Sequence, residues 1–493
     1  MLLLGIDIGT SFIKACVLDA DSGKVITSAK YPEKEAIIIS DKPGWAEQSP
    51  DIWWQHTVKV IKNLHATNAY NPVDIEAIGI AYQMHGLVVV DKDQHVLRDS
   101  IIWCDSRAVS YGEAAFEKIG SQYCLSSLLN SPGNFTAAKL AWVKKNETAV
   151  YNKIDKVMLP GDFISMKLTG NISSTASALS EAVLWDFKKN EISQEVLQHF
   201  QFDEKYFSPE QNVFSDHGKI TTEAAQLLQL KKGIAVTYKV GDQPNNALSL
   251  NAFNPGDVAA TAGTSGVIYG ISDQPVADKF SRVNSFAHVN HTAAEPHIGV
   301  LLCINGAGIT NKWIRNIAGG TADYDELNNL AKKIPAGSEG LKILPFGNGA
   351  ERMLQNKTTQ AHLININYNR HTAAHIYKAG QEAVVFSFRY GLDIMQENGI
   401  KPATIKAGNS NMFLSRVFTE AFVNTTGVPV EIYDTDGSTG AAIGAGIGAG
   451  IFKCSREAFI NFKPIQIIYP SKKNIYETLY REWKEELEKK LIN

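Results

Sequence analysis

The chain has 493 residues, of which 44% are hydrophobic and 20% charged, with a formal net charge of −3. It is too long for one ordinary core, so two large domains are expected, and without a basic excess to neutralise phosphates it does not read as a nucleic-acid binder. Cys16, Cys104, Cys124, Cys303 and Cys454 are scattered with no C-x-x-C pair, which fits a reducing, cytoplasmic setting, and no apolar run reaches the roughly 20 residues that cross a bilayer.

The opening Leu2–Ile8 lacks a basic flank and reaches Asp7 early, so it reads as a buried strand rather than a targeting segment. Gly9-Thr10-Ser11 ends it, Ile13–Leu18 follows, and after the turn chemistry of residues 19–23 a third strand spans Lys24–Tyr31. Three short strands joined by tight turns predict an antiparallel meander. A helix then opens with Ser49 as its cap and Pro50 in its first turn, with Trp54, Val58 and Ile61 on one face. Ile75–Tyr82 predicts another buried strand, which leads into the loop Gln83-Met84-His85-Gly86. Further on, Ile234–Val240 predicts a strand running into a helix at Gly241-Asp242-Gln243-Pro244. Gly440–Gly450 predicts a helix of minimal side chains that lets another backbone approach closely, and the mixed-charge run Arg481–Lys490 reads as a solvated helix face.

The opening recurs. Asp7-Ile-Gly-Thr-Ser11 sits between two apolar strands, and so does Thr261-Ala-Gly-Thr-Ser265, about half a chain later. The shared strand–turn–strand context predicts a duplicated α/β domain, with the boundary near Asn251–Asp257 and a cleft between the copies. We therefore divide the chain at 1–250 and 251–493.

Neither a G-x-x-x-x-G-K-[ST] loop nor a G-x-G-x-x-G fingerprint occurs. A Gly-Thr-Ser hairpin turn can hold phosphate instead, through consecutive N–H groups and two hydroxyls, or it can be a plain turn. Asp7, just before the first turn, can hold Mg²⁺ through water or simply shape the turn. Lys14 can reach phosphate or be solvated. Asp242 reads as a helix N-cap, or as a carboxylate that projects into the cleft and accepts a hydroxyl proton. The polar clusters Gln83-Met84-His85 and Trp103-Cys-Asp105-Ser-Arg107 at strand ends suit a sugar, whose hydroxyls need paired donors and acceptors, although a core histidine and a surface ion pair would look the same.

Taken in order, D-I-G-T-S, Q-M-H-G, W-x-D-x-R, F-T-A-A-K-L-A-W around Lys139, G-D-Q, A-G-T-S, the G-x-x-x-x-W of Gly308–Trp313, L-P-F…G-A-E-R (344–352) and the late glycine-rich helix resemble the FGGY family of carbohydrate kinases along essentially the whole chain. The resemblance implies two ribonuclease-H-like domains of the actin/hexokinase-like ATPase type that close on a sugar and MgATP. It makes Asp242 the general base and Asp7 the acidic residue at the Mg²⁺ and phosphates. Gly9, Thr10, Ser11 and Lys14 would form the first phosphate turn and Gly263, Thr264 and Ser265 the second, with Gly308, Gly408 and Asn411 about the nucleotide. Gln83, Met84, His85, Trp103, Asp105, Arg107, Asp242 and Gln243 would face the sugar. Met84-His85-Gly86 resembles the loop of the family's xylulose kinases, implying D-xylulose as substrate and its 5-phosphate as product.

Two segments depart from the family pattern: Asp-Gln-Pro-Asn-Asn-Ala stands for Asp-Asn-Ala after the base strand, and Ala407-Gly408-Asn409-Ser410 for the usual glycine run. The alternatives are a kinase for sedoheptulose, ribulose or glycerol, a non-catalytic sugar or nucleotide sensor, and an actin-like filament protein. The partners expected are the sugar and ATP, without nucleic acid or membrane; a homodimer is left open.

Overall fold

The computed structural model describes residues 1–318 and 320–492. The predicted meander is present as Leu2–Ile8, Ile13–Asp19 and Lys24–Tyr31, with antiparallel pairing throughout. Ile75–Tyr82 and Ala235–Gly241 then add in parallel on the other side of the first strand, completing a five-stranded sheet.

The second half repeats this plan. Val258–Ala262, Gly266–Ser272 and Ile298–Ile304 form the antiparallel meander, and Ile405–Gly408 and Val430–Tyr433 add in parallel beside the first of them. One extra strand at each edge, Asn284–Ala287 and Gln466–Ile468, extends this sheet to seven. The duplication read from two Gly-Thr-Ser triplets is therefore a duplication of strand order. The chain contains no helix, among the described residues, that is long and apolar enough to cross a membrane.

Two helices bind the halves together. Asp242–Ser249 follows the last strand of the first sheet, and Gly437–Gly448 follows the matching strand of the second. The latter lies across the first sheet, where its side chains are small because the approach is close. A Cβ added at Gly5 would fall 1.9 Å from the Ser438 carbonyl oxygen, and one at Gly79 would fall 2.0 Å from that of Ala441. Thr237 Oγ1 donates to the Ala445 carbonyl at 2.8 Å, and Asn245 Nδ2 to that of Gly437 at 2.8 Å, tying both helices to the same seam.

Three local expectations change. Ser49 occupies the N-cap position of Pro50–Ala66, but its side chain makes no cap hydrogen bond. That helix buries Trp53, Thr57, Val60, Ile61 and Leu64, while Trp54 and Val58 lie at the margin of the stripe. The run Arg481–Lys490 is part of Lys473–Ile492, which is not solvated all round: Tyr476, Tyr480, Trp483 and Leu487 form a stripe sunk into the second core. Trp483 Nε1 donates to the Ile343 carbonyl there at 2.7 Å.

Replacing Gly79 with Val places two methyl groups where a helix backbone already lies, and overpacking of this kind costs about 1–3 kcal/mol or more. Gly79→Val is expected to lower the melting temperature and abolish turnover together, measured by calorimetry and steady-state kinetics. An unaltered melting temperature would show that the helix does not seat on this sheet.

Candidate active site in the interdomain cleft

The first Gly-Thr-Ser turn is held from several sides. Gly9 N donates to the Phe12 carbonyl at 3.1 Å, and Gln83 N to that of Ile8 at 2.8 Å. Thr10 Oγ1 donates to Gln83 Oε1 at 3.0 Å and accepts from Trp103 Nε1 at 3.0 Å. Gln48 Nε2 donates to the Thr10 carbonyl at 2.8 Å, while Gln48 Oε1 accepts from Gln83 Nε2 at 3.2 Å and Trp53 Nε1 at 3.1 Å. Gln83 is thus buried and engaged at both ends of its amide, so it steadies the turn. Trp103 is half exposed and lies over the same turn.

Asp7, on the adjoining strand, pairs in register with Lys14 and lies against the start of the small-residue helix; a Cβ at Gly437 would fall 2.3 Å from its Oδ2. Burial pushes the Asp7 carboxyl up to about 6, with Lys14 opposing and Asp436 adding to the rise. Asp436 itself is committed to capping, accepting from Ser438 Oγ at 2.8 Å and Thr439 N at 3.0 Å.

Asp242 is the first residue of its helix; Gly241 occupies the cap position, because the strand runs one residue further than its hydropathy indicates. Asp242 therefore does not occupy the N-cap position. Burial pushes its pKa up to about 7, Asp7 adds to the rise, and Gln243 draws it back through side-chain and backbone hydrogen bonds. Two buried carboxylates with raised pKa, one of them raised partly by the other, suit proton transfer or a cation.

The Gln83–Gly86 loop packs directly on the base strand: a Cβ at Gly241 would fall 2.6 Å from Met84 Cγ and 2.8 Å from Glu181 Oε2. His85 adopts a left-handed backbone (φ 63°) and packs edge-on to Phe135, with Phe286 of the second domain also against it. Its Nδ1 lies 3.0 Å from the Glu181 carbonyl, and burial pushes its pKa down to about 3, so the ring is neutral.

Lys139 is fully buried and donates to the carbonyls of His85 at 2.8 Å and Ile102 at 3.0 Å, lacing the two polar loops together. Asp105 and Arg107 form a buried pair rather than a surface one. Asp105 accepts from Ala46 N at 2.6 Å and Arg107 Nε at 2.8 Å, and the Arg107 guanidinium also meets Glu47 and stacks on Trp45. These two residues therefore hold the shape of their own loop against Trp45 and Glu47.

Across the cleft, Gly308 N donates to the Gly263 carbonyl at 2.9 Å and Ile309 N to that of Thr264 at 3.1 Å, fastening the second turn to the helix Gly308–Ala318. Asn411 Nδ2 stands 3.6 Å from a Cβ placed on Gly263, and Gly408 ends the strand alongside. Gly263, Thr264, Ser265, Gly308, Gly408 and Asn411 thus form one cluster.

Glu181 is a residue that motif reading missed. It ends the helix Ala176–Glu181, is buried, and has neither carboxylate oxygen hydrogen-bonded; burial and then Asp242 push its pKa well up. Nothing local marks it, because its importance comes from lying against Gly241. Asn130 and Ser180 were likewise unmarked. Asn130 bonds both Ser285 N and Ser285 O, and Ser180 Oγ accepts from Ala287 N, so they attach the second domain's edge strand to the first domain beside His85.

The arrangement has a counterpart in known proteins. Residues 2–249 match the N-terminal domain, and residues 258–451 the C-terminal domain, of the FGGY family of carbohydrate kinases. The chain belongs to that family. It is 30% identical to a xylulose kinase of Haemophilus influenzae over 82% of this chain and 81% of that one. Its fold matches the crystal structure of xylulose kinase from Rhodospirillum rubrum (TM-score 0.88, 24% identity, 99% of both chains). It also matches gluconate kinase from Lactobacillus acidophilus (TM-score 0.90, 21% identity, 99% and 98% of the chains). As a member of the family the chain is a carbohydrate kinase, a phosphotransferase to an alcohol group, and the two-domain α/β fold expected from its motifs is the family fold.

A buried carboxylate with a raised pKa binds protons more readily folded than unfolded, so its ionisation lowers stability as pH rises. Asp242→Asn is therefore expected to melt higher than the parent, with the gap widening from the ordinary carboxylate pKa of 3.8 up to about 7 and constant above. Thermal melts across pH would show it; a gap that narrows with rising pH would mean that Asp242 is not desolvated.

Proposed function

We propose that this kinase transfers the γ-phosphoryl group of ATP to D-xylulose, giving D-xylulose 5-phosphate and ADP. The observation that carries this reading is the Met84-His85 loop seated on the base strand beside Asp242, the same element whose sequence resembles the xylulose kinases. The similarity to curated xylulose kinases over most of the chain supports it. In this reading the ketose lies between Met84, His85, Trp103 and Gln243, with Asp105 and Arg107 holding the rim. The first phosphate turn is Gly9, Thr10, Ser11 and Lys14, and the second is Gly263, Thr264 and Ser265. Gly308, Gly408 and Asn411 surround the nucleotide. The working units are residues 1–250 and 251–493, and the enzyme acts in the cytoplasm, which its five unbridged cysteines support.

Asp242 accepts the proton of the terminal hydroxyl as that oxygen bonds to the γ-phosphorus and the bond to the β-phosphate oxygen breaks. Gln243 orients the carboxylate. The neutral His85 ring presents the sugar with a polar edge and no competing charge. Asp7 offers carboxylate oxygens beside a second acid, the donor chemistry that a hard cation such as Mg²⁺ takes; when bound, the ion neutralises phosphate charge. Closing the cleft excludes water, which would otherwise accept the phosphoryl group.

Asp242 must be ionised to act, so kcat/KM is expected to fall about tenfold per pH unit below about 7, the pKa of the free enzyme's base. Coupled ADP release across D-xylulose, D-ribulose, sedoheptulose, glycerol and gluconate is expected to be highest with D-xylulose. Asp242→Ala should lose at least about a hundredfold in turnover with its sugar affinity largely kept. Preference for another sugar would replace the substrate, and near-normal turnover of Asp242→Ala would remove the mechanism.

A further inference from the structure

The G-A-E-R segment has so far had no task. Its Glu351 is buried: both carboxylate oxygens accept from Asn305 N at 3.1 Å, and burial pushes its pKa up to about 7. Asn305 Nδ2 returns a bond to the Ala350 carbonyl at 2.9 Å. The segment is thereby clamped to the turn that leads into Gly308, and so to the second Gly-Thr-Ser turn.

Arg352 comes next. Its Nη1 donates to Asn284 Oδ1 at 2.8 Å, and its guanidinium carbon stands 5.9 Å from the centre of the Phe135 ring, which itself packs on His85. Its charge is felt at His85 and at Cys303, and the Asp242 carboxylate is also felt at Cys303. Arg352 is therefore a second-domain side chain standing between the His85 loop and the strands that flank the second phosphate turn.

No carboxylate lies within 4.0 Å of this guanidinium among the described residues, whereas four other partly buried arginines each have one. Arg98 and Arg107 each meet Glu47 at 2.5 Å, Arg282 meets Asp278 at 2.8 Å, and Arg389 meets Asp393 at 2.9 Å. Burial of Arg352 also pushes its pKa below the ordinary value. A desolvated cation without a counter-ion is costly, so a fold that keeps one at a cleft implies a charged ligand to offset it. The sugar is neutral and cannot. The phosphoryl group can, and the planar guanidinium fork fits two of its oxygens at once.

We propose that Arg352 is a further catalytic residue, the second-domain group that grips the phosphoryl group as it arrives on the sugar and holds the product phosphate. The inference rests on the kinase reading. Arg352→Gln should lower kcat about a hundredfold, the usual effect of removing a donor to transition-state charge, with the KM for D-xylulose changed by less than about threefold. Affinity for D-xylulose 5-phosphate, by calorimetry, should fall at least about tenfold, and Arg352→Lys should recover part of both losses. Because the cation is unpaired, the ligand-free Arg352→Gln protein should melt no lower than the parent.

Unchanged product affinity with kcat within about threefold of the parent overturns the proposal. So does a raised sugar KM at constant kcat, which would make Arg352 a hydroxyl ligand, or a clearly lowered melting temperature, which would make it a strut. Absence of ADP release in the parent enzyme with every sugar would instead remove the kinase reading itself, and the proposal with it.

Discussion

The close seating of a second-domain helix on the first domain's sheet is the constraint on which the rest depends. Gly437–Gly448 can lie there because Gly5 and Gly79 present no side chain and the helix answers with glycine and alanine. This contact delivers the helix start, with its capping Asp436, to the side of Asp7. It also brings Asn245, on the helix that Asp242 begins, into hydrogen bonding with Gly437. An acid on the first strand, an acid that opens the helix after the last strand of the same sheet, and a helix start from the other domain therefore come together. Domain duplication alone would not produce this; the exchange of helices across the seam does.

The electrostatics follow from that geometry. Asp7, Asp242 and Glu181 are enclosed together, and burial raises the pKa of each. An acid whose pKa is raised toward neutrality is a better proton acceptor for a hydroxyl than an ordinary carboxylate. Of the bases nearby, Lys14 opposes the rise at Asp7, His85 is neutral, and Lys139 spends its hydrogen bonds on two carbonyls. Acidic groups are thus gathered on the first domain, and Arg352 stands on the second domain against Phe135, which packs on His85.

Much of this was legible in the sequence wherever the signal was local. Strand–turn–strand contexts around two Gly-Thr-Ser triplets foretold two sheets of like order, and a run of glycine and alanine foretold a close-packed helix. The candidate residues around the second turn do lie together. What could not be read depends on tertiary contact. Asp242 looked like an N-cap because hydropathy cannot place a strand end to one residue, and Gly241 continues the ladder. Gln83, Asp105 and Arg107 looked like ligands because polar loop residues that hold a loop and those that hold a sugar have the same composition. In Lys473–Ile492 the charges outnumber the buried stripe, which hid the docking of Tyr480, Trp483 and Leu487. Glu181 carries no local mark, since burial by distant chain segments gives it its role, and the motif around Lys139 does not tell which carbonyls the lysine bonds.

The most direct test of the account is a crystal structure of the Asp242→Asn variant soaked with D-xylulose and a non-hydrolysable ATP analogue. The account predicts the sugar's terminal hydroxyl within about 2.6–3.2 Å of the residue-242 side chain, with the γ-phosphate between the two Gly-Thr-Ser turns and in line with that oxygen. A sugar bound away from the Met84-His85 loop, or a γ-phosphate on one turn with its phosphorus pointing away from residue 242, would contradict it.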